Sequence, residues 1–190
     1  MEINEKERNS RTKKMMLWFG MISMAMTFAG LTSAYVVSSS REDWLEGFQL
    51  PTVFSLSTAI ILLSSLTFYF AKRTLKQGKL NQFKSMLWVT LLLTLAFVYF
   101  QFQGFGEIIA SGYYFTGAES SITTSFLYVL VLLHLVHVAA GLLVLTVVLI
   151  NAYRNQYSSD KTLGVELAEL FWHFLDFLWL YLFVFVTIYQ

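Results

Sequence analysis

The C-terminal stretch from Trp172 to Phe185 reads WHFLDFLWLYLFVF, and its only readily ionised side chains are those of His173 and Asp176. A histidine and an aspartate at this spacing lie on the same side of an α-helix. Neither side chain is stable in hydrocarbon without a polar partner. We therefore predict a membrane-spanning helix whose His173–Asp176 pair faces protein.

The composition of the whole chain is typical of a membrane protein. Of its 190 residues, 56% are hydrophobic and only 13% are charged, whereas about a quarter of the residues of a soluble domain are charged. There is no cysteine, which excludes disulfides, thiolate metal ligands and a cysteine nucleophile. We predict that residues 1–190 form a single membrane domain.

Long apolar runs predict the membrane-spanning elements. Each run is long enough for a helix to cross about 30 Å of hydrocarbon, which favours an all-α polytopic membrane bundle of about five transmembrane helices. The predicted spans are about 15–37, 52–71, 86–105, 122–150 and 167–189. Pro51 is predicted at the first helical position of the second helix. Its missing N–H costs nothing there, because an N–H at this position has no hydrogen-bond partner within the helix. The glycines of 104–121 predict a loop.

Basic residues predict the orientation of the bundle. The N-terminus, the second loop and the fourth loop share one side, and they hold every lysine and arginine except Arg41. The third loop carries Glu107 and Glu119 instead. By the positive-inside rule the N-terminus is cytoplasmic. The lysines of the second loop are typical of an anchor on anionic lipid rather than of a nucleic-acid site.

Small residues recur on one side of the first predicted helix. Gly20, Ser23, Thr27, Gly30 and Ala34 follow one another at spacings of three and four. Such a stripe allows two helix backbones to approach closely. We predict that it is a helix-packing face.

Histidines inside the apolar runs raise the possibility of haem or metal ligation. His134 and His137 lie one turn apart on the fourth helix, and His173 lies on the fifth. A haem held between helices needs histidines that face each other at the same depth, and these do not match in depth. A metal would need further ligands, for which Asp176 and Glu169 are the nearest candidates.

Two other interpretations involve the same helices. A proton or ion path would add Asp176, Glu107, Glu166 and Glu169 to the three histidines, but the first four helices carry no carboxylate at their centres. Trp172 and Trp179 would suit a quinone pocket, although aromatic side chains more often fill helix interfaces. A polar cluster that joins helices four and five to a partner, with Gly141 on the same stripe as the histidines, needs fewer assumptions.

Two motifs carry a resemblance to a known family. The segment HLVHVAAG from His134 to Gly141 and the segment WHFLDFLWL from Trp172 to Leu180 resemble subunit III of the haem–copper terminal oxidases, in the order and at the separation that the family shows. The resemblance extends over most of the chain. It gives the signature positions His134, His137, Trp172, His173, Asp176 and Trp179.

The resemblance implies an accessory, non-catalytic subunit of a proton-pumping oxidase of aerobic respiration, fed by cytochrome c or quinol. Haem and copper would lie in subunits I and II and none in this chain. The chain would pack on subunit I, hold structural phospholipid, and support the stability and proton uptake of the complex. It would lie in a bacterial plasma membrane.

Two departures from the family pattern stand out. The longest members have seven helices, and the first two are absent here. Many members also have a Ser-Glu pair where this chain has Ser23-Met24. The alternative hypothesis is a free-standing membrane transporter or b-type cytochrome that uses His134, His137 and His173.

Overall fold

The computed structural model describes residues 2–41, 44, 50–115, 117, 121–159 and 161–189. Its regular elements are the helices α1 (Glu2–Ser38), α2 (Thr52–Lys76), α3 (Leu80–Ala110), α4 (Ile122–Tyr153) and α5 (Leu163–Tyr189). Each is long and apolar enough to cross a membrane. The predicted all-α bundle of five membrane helices is confirmed.

The helices extend beyond the predicted spans. α1 begins at Glu2 rather than near residue 15, and α3 runs from Leu80 to Ala110 rather than over 86–105. Hydropathy marks only the part of a helix that lies in hydrocarbon, whereas backbone hydrogen bonding continues into polar turns on either side. Pro51 is not the first helical residue as predicted, because it caps α2 with an extended ψ of 141°.

The loop predicted over 104–121 begins later than expected. Gly104 lies inside α3, and a Cβ there would come within 2.5 Å of Cε2 of Phe54. This glycine therefore serves the close approach of α2 and α3 and not a turn. Glu107 likewise belongs to α3, on its exposed surface. Glu119 lies outside the described residues.

α4 and α5 are the helices with the most neighbours. α5 packs on α1, α2 and α4, α4 also packs on α1 and α3, and α3 packs on α2. Across the described ranges no Cα atom of α1 lies within 8 Å of a Cα atom of α2. The position of α5 explains why its sequence is apolar on most sides and why its polar residues meet several neighbours.

α1 packs on α4 and α5 through bulky residues rather than through the predicted stripe. Phe28 and Tyr35 are buried in a cluster with Leu130 and Leu178. The five stripe residues are exposed, and a Cβ added at Gly20 or Gly30 would meet nothing within 4 Å.

The prediction that the stripe packs is therefore wrong within this chain. The aromatic side chains of Phe28 and Tyr35 follow Thr27 and Ala34 by one position, which is about 100° around α1. They bury more surface than glycine and alanine. A contact of Gly20, Ser23, Thr27 and Gly30 with another chain stays a prediction.

Ionic contacts bring the basic segments to one end of the bundle. Lys14 of α1 and Lys76 of α2 lie 3.3 and 3.4 Å from the carboxylate of Glu166 on α5. Lys84 at the start of α3 lies 3.4 Å from Asn155, just after α4. We call this the basic end.

Candidate functional site

The seam between α2 and α5 holds two buried tryptophan hydrogen bonds. Trp179 Nε1 donates to Thr58 Oγ1 at 2.9 Å, and Trp172 Nε1 donates to Ser64 Oγ at 3.1 Å. Both tryptophans are almost fully buried. Because α2 and α5 run in opposite directions, each indole meets a hydroxyl group at its own depth, and these bonds align the two helices.

The seam ends in a buried ion pair near the basic end. Lys72 of α2 binds the carboxylate of Glu169 on α5, whose side chain is only 6% exposed. Nε2 of His173 lies 3.7 Å from the other oxygen of Glu169. Because Lys14 and Lys76 hold Glu166, both carboxylates at this end of α5 have a cationic partner.

Both residues of the predicted His173–Asp176 pair lie on the side of α5 that faces Ser65 of α2. Nδ1 of His173 lies 2.6 Å from Oγ of Ser65, and the carboxylate of Asp176 lies near the same hydroxyl group. Residues three apart are separated by about 60° around a helix, which leaves room for a side chain of α2 between them.

The two residues also differ in burial. Asp176 is 4% exposed, and its Oδ2 has no hydrogen-bond partner among the described residues. The side chain of His173 is 37% exposed. Asp176 therefore faces protein, whereas His173 lies at the edge of the seam.

His134 is packed among aromatic rings. Its ring centroid lies 5.1 Å from that of Trp179 and 6.3 Å from that of Phe97. It is fully buried, and neither of its ring nitrogens has a partner among the residues that the structure describes. Gln101 of α3 donates from Nε2 to Ser57 of α2 at 2.8 Å, but its Oε1 is also without a partner among the described residues.

The histidines do not converge on one site. His134 faces α3 and α5, His137 packs against Phe28 of α1 and donates to the carbonyl of Leu133, and His173 faces α2. Over the described ranges no group of three histidine, aspartate or glutamate residues is placed to hold a metal ion. The geometry does not fit a haem or metal that is shared by these residues.

The two sequence motifs form one packed unit. A Cβ at Gly141 would lie 2.9 Å from Cδ1 of Leu175 and 3.4 Å from Cζ3 of Trp172, so the glycine allows α4 and α5 to approach closely. One end of the unit is this contact and the other is the stack of His134 on Trp179. The signature positions are thus contacts between helices.

Several residues of the seam were not predicted as site residues. Ser57 and Thr58 precede Ser64 and Ser65 by seven residues on α2, and this repeat of paired hydroxyl groups in an apolar helix was the available signal. Lys72 was expected to be only a lipid anchor. Its partner could not be identified because no spacing rule relates residues on separate helices.

The motifs fall within a family match that covers nearly the whole chain. The profile of the family described as cytochrome c oxidase subunit III matches residues 15–190. The chain belongs to this family. It is therefore an accessory subunit of a haem–copper oxidase, and so a member of an oxidoreductase complex and a multi-pass membrane protein.

Oxidase subunits named for cytochrome c and oxidase subunits named for ubiquinol are both similar to this chain. It is 32% identical over 191 residues to cytochrome c oxidase subunit 3 of Bacillus sp. (strain PS3), an alignment covering 95% of this chain and 89% of the relative. It is 31% identical over 173 residues to cytochrome bo(3) ubiquinol oxidase subunit 3 of Pseudomonas aeruginosa, covering 89% and 81%.

The packing of His134 leads to a test of this subunit III. His134→Phe should leave the free energy of unfolding in the purified oxidase unchanged or raise it by about 1 kcal/mol. Phenylalanine keeps an aromatic ring at this position and removes two unpaired nitrogen atoms. His134→Ala should lower it by opening a cavity. If His134→Phe is as damaging as His134→Ala, the nitrogens make a bond that the bundle needs.

Proposed function

We propose that this chain is the non-redox subunit III of a proton-pumping terminal oxidase in aerobic respiration. It packs on subunit I in a complex that includes subunit II, and cytochrome c or quinol supplies the electrons that reduce oxygen to water. The complex lies in a bacterial plasma membrane. The N-terminus and the basic end face the cytoplasm, in agreement with the positive-inside rule.

One observation carries the proposal of a structural role. The signature residues Trp172 and Trp179 hydrogen-bond α2, while Gly141 and His134 pack against them from α4. Residues that served a redox centre would instead converge on a common space. The seam therefore supports a subunit whose polar residues hold its own helices in register.

Haem and copper are assigned to the partner subunits in this proposal. The described histidines face different neighbours and share no ligand site, so they do not fit a haem between helices. Redox chemistry would then take place in subunits I and II. Bound phospholipid would stabilise the apolar outer surfaces, of which Phe19 and Leu143 are examples at 72% and 70% exposure.

In this proposal the chain supports proton uptake by docking rigidly on subunit I, and it does not itself relay protons. The carboxylates of Glu166 and Glu169 are engaged by lysines, and the seam beyond Asp176 continues with tryptophan and threonine. A well-ordered subunit III would keep the adjoining surface of subunit I in its working conformation.

Purification of the intact complex tests the proposal. A tagged copy of the chain, isolated in mild detergent, should bring with it subunits that carry haem and copper, identified by mass spectrometry and by the optical spectrum. The same spectrum of the chain alone is the control. Haem bound to the isolated chain, or purification without companions, would favour the free-standing cytochrome or transporter.

A further inference from the structure

A cluster of one lysine and two aromatic residues lies on the outer surface of α3 and α4 at the basic end. Nε1 of Trp88 donates a hydrogen bond to the hydroxyl oxygen of Tyr153 at 3.0 Å. Nζ of Lys84 lies 5.1 Å from the centroid of the Tyr153 ring, which is a cation–π distance. Both aromatic side chains are exposed. We call these three residues the Lys84 cluster.

Lys84 differs in its partners from the lysines that bind α5. Those lysines each contact a carboxylate, and they are Lys14, Lys72 and Lys76. Lys84 contacts only neutral groups, the amide oxygen of Asn155 at 3.4 Å and the ring of Tyr153. Among the described residues its ammonium group has no carboxylate partner. The positive charge of Lys84 is therefore available to an anion from outside the chain.

The hydroxyl group of Tyr153 adds a hydrogen-bond donor to this charge. A phenol has one O–H hydrogen, and its oxygen here accepts the bond from Trp88. The hydrogen atom itself has no acceptor among the described residues. A phosphate group has several acceptor oxygens, so a single phosphate can bind the ammonium group and the hydroxyl group together.

An exposed apolar stripe of α3 leads from the cluster toward the centre of the membrane. Its residues recur at spacings of four, three and four, and they are Trp88, Leu92, Leu95 and Tyr99. Leu92 is 60% exposed and Tyr99 is 67% exposed. Tyr99 lies roughly 16 Å deeper than Trp88 along the helix axis, which is about half of the hydrocarbon thickness. The stripe is thus as long as the acyl chain of one leaflet.

We propose that Lys84 and Tyr153 bind the phosphate of an anionic phospholipid in the cytoplasmic leaflet, with an acyl chain along the stripe of α3. The proposal rests on the proposed function, in which the basic end faces the cytoplasm. Anionic lipid is favoured over zwitterionic lipid because a choline or ethanolamine group would bring a positive charge to Lys84. Arg154, the C-cap of α4, adds a second exposed cation beside Tyr153.

The separation of polar from apolar groups favours a lipid over a helix of another protein. Lys84 lies four residues after the start of α3, and Tyr153 is the last residue of α4. Helices associate in membranes through small or hydrogen-bonding residues, whereas the stripe beyond Trp88 continues with two leucines and a tyrosine. A charged head at the membrane surface above an apolar track matches the shape of a phospholipid.

Photo-labelling by lipid in the intact complex tests the proposal. The purified oxidase is placed in nanodiscs of phosphatidylcholine that contain a small fraction of phosphatidylglycerol with a diazirine on its acyl chain. On irradiation the label should appear on α3 near Leu92 and on α4 near Ile150, which lies one turn before Tyr153 and is exposed. The same amount of phosphatidylcholine with the same diazirine should label these positions several-fold less.

Two variants remove one partner of the phosphate each. Lys84→Gln removes the charge and should lower labelling by phosphatidylglycerol roughly fivefold, the effect of one lysine near an anionic lipid surface. Tyr153→Phe keeps the ring but removes the hydroxyl donor, and it should lower labelling roughly threefold. Arg73→Gln is the matched control, because it removes an exposed charge of α2 at the same end. It should leave the labelling of α3 and α4 unchanged.

The outcomes separate this proposal from the function that it rests on. Absence of any companion subunit in the preparation would contradict the proposed function itself. If companions are present, equal labelling by the two lipids, or equal effects of Lys84→Gln and Arg73→Gln, would overturn the lipid site alone. Absence of label from α3 and α4 would show that a protein covers the stripe and would also overturn the site. Loss of labelling when inorganic phosphate is added at constant ionic strength would overturn the lipid assignment in favour of the free anion.

Discussion

Glu169→Leu should destabilise the purified oxidase subunit by about 3 kcal/mol, because it leaves the ammonium group of Lys72 without a partner at the edge of the hydrocarbon. Glu169 is 6% exposed and Lys72 is 26% exposed, so water compensates the stranded charge only in part. The measurement is the thermal unfolding midpoint of the purified complex, with dissociation of this subunit as the monitored signal.

A double variant is the control for the buried ion pair. Lys72→Met combined with Glu169→Leu removes both charges and should recover most of the stability, since an apolar pair of similar volume often replaces a buried ion pair without loss. If the double variant is as unstable as Glu169→Leu alone, the loss comes from another contact of Glu169, such as that with His173, and not from the stranded lysine.

Trp179→Ala should be similarly damaging, at about 3 kcal/mol. The indole is 2% exposed and stands among Phe54, Phe97 and His134, with ring centroids 6.4, 5.2 and 5.1 Å away. Its removal leaves a cavity where α2, α3, α4 and α5 meet. This expected loss of stability is at the low end of the range for tryptophan-to-alanine changes, because helices that come apart in a membrane are surrounded by lipid and not by water.

Trp179→Phe separates packing from hydrogen bonding at the same position. It keeps an aromatic ring but loses the bond to Thr58, so it should cost only about 0.6 kcal/mol. Thermal denaturation of both variants in one detergent provides the comparison. An equal loss for Trp179→Phe and Trp179→Ala would show that the hydrogen bond to α2, and not the aromatic cluster, stabilises this part of the bundle.

Hydropathy was sufficient to predict the helices but not their ends. The apolar runs correspond to five helices because a spanning segment must satisfy its own backbone hydrogen bonds. Gly104 shows why the ends were missed. In the sequence it stands at the start of a glycine-containing segment, but in the structure it is buried against Phe54 in the middle of a helical turn. A glycine that permits a turn and one that permits close packing look alike in a sequence.

Helix faces were predicted less well than helices. The stripe from Gly20 to Ala34 and the aromatic residues Phe28 and Tyr35 have the same period on adjacent sides of α1, about 100° apart. Periodicity shows that two faces exist, but the choice between them depends on the surfaces of α4 and α5. The same holds for His173, whose partner Ser65 lies on a helix far away in the sequence.

The signature motifs were visible in the sequence because each lies within one helix. Their resemblance to subunit III identified the family that the profile match then showed. Their partners on α2 were not visible, since Thr58, Ser64 and Lys72 carry no motif of their own. Pairing between helices is determined by depth in the membrane and by helix rotation, and these follow from the packing of the whole bundle.

A structural role for the polar residues of the seam is tested most directly at Asp176. It is the most deeply buried carboxylate of the seam at 4% exposure, and one of its oxygens has no partner among the described residues. A proton relay through this chain would depend on it, whereas a structural role requires only that a polar side chain fill this position near Ser65.

The measurement is the initial rate of oxygen consumption per haem as a function of pH for oxidase that carries Asp176→Leu, with Asp176→Asn as the variant that keeps a polar side chain of similar size near Ser65. We predict that Asp176→Leu lowers the yield of assembled complex or shortens its working life, that Asp176→Asn does so less, and that both keep the unaltered rate and pH profile. Normal assembly with a slowed and pH-shifted initial rate would contradict the account.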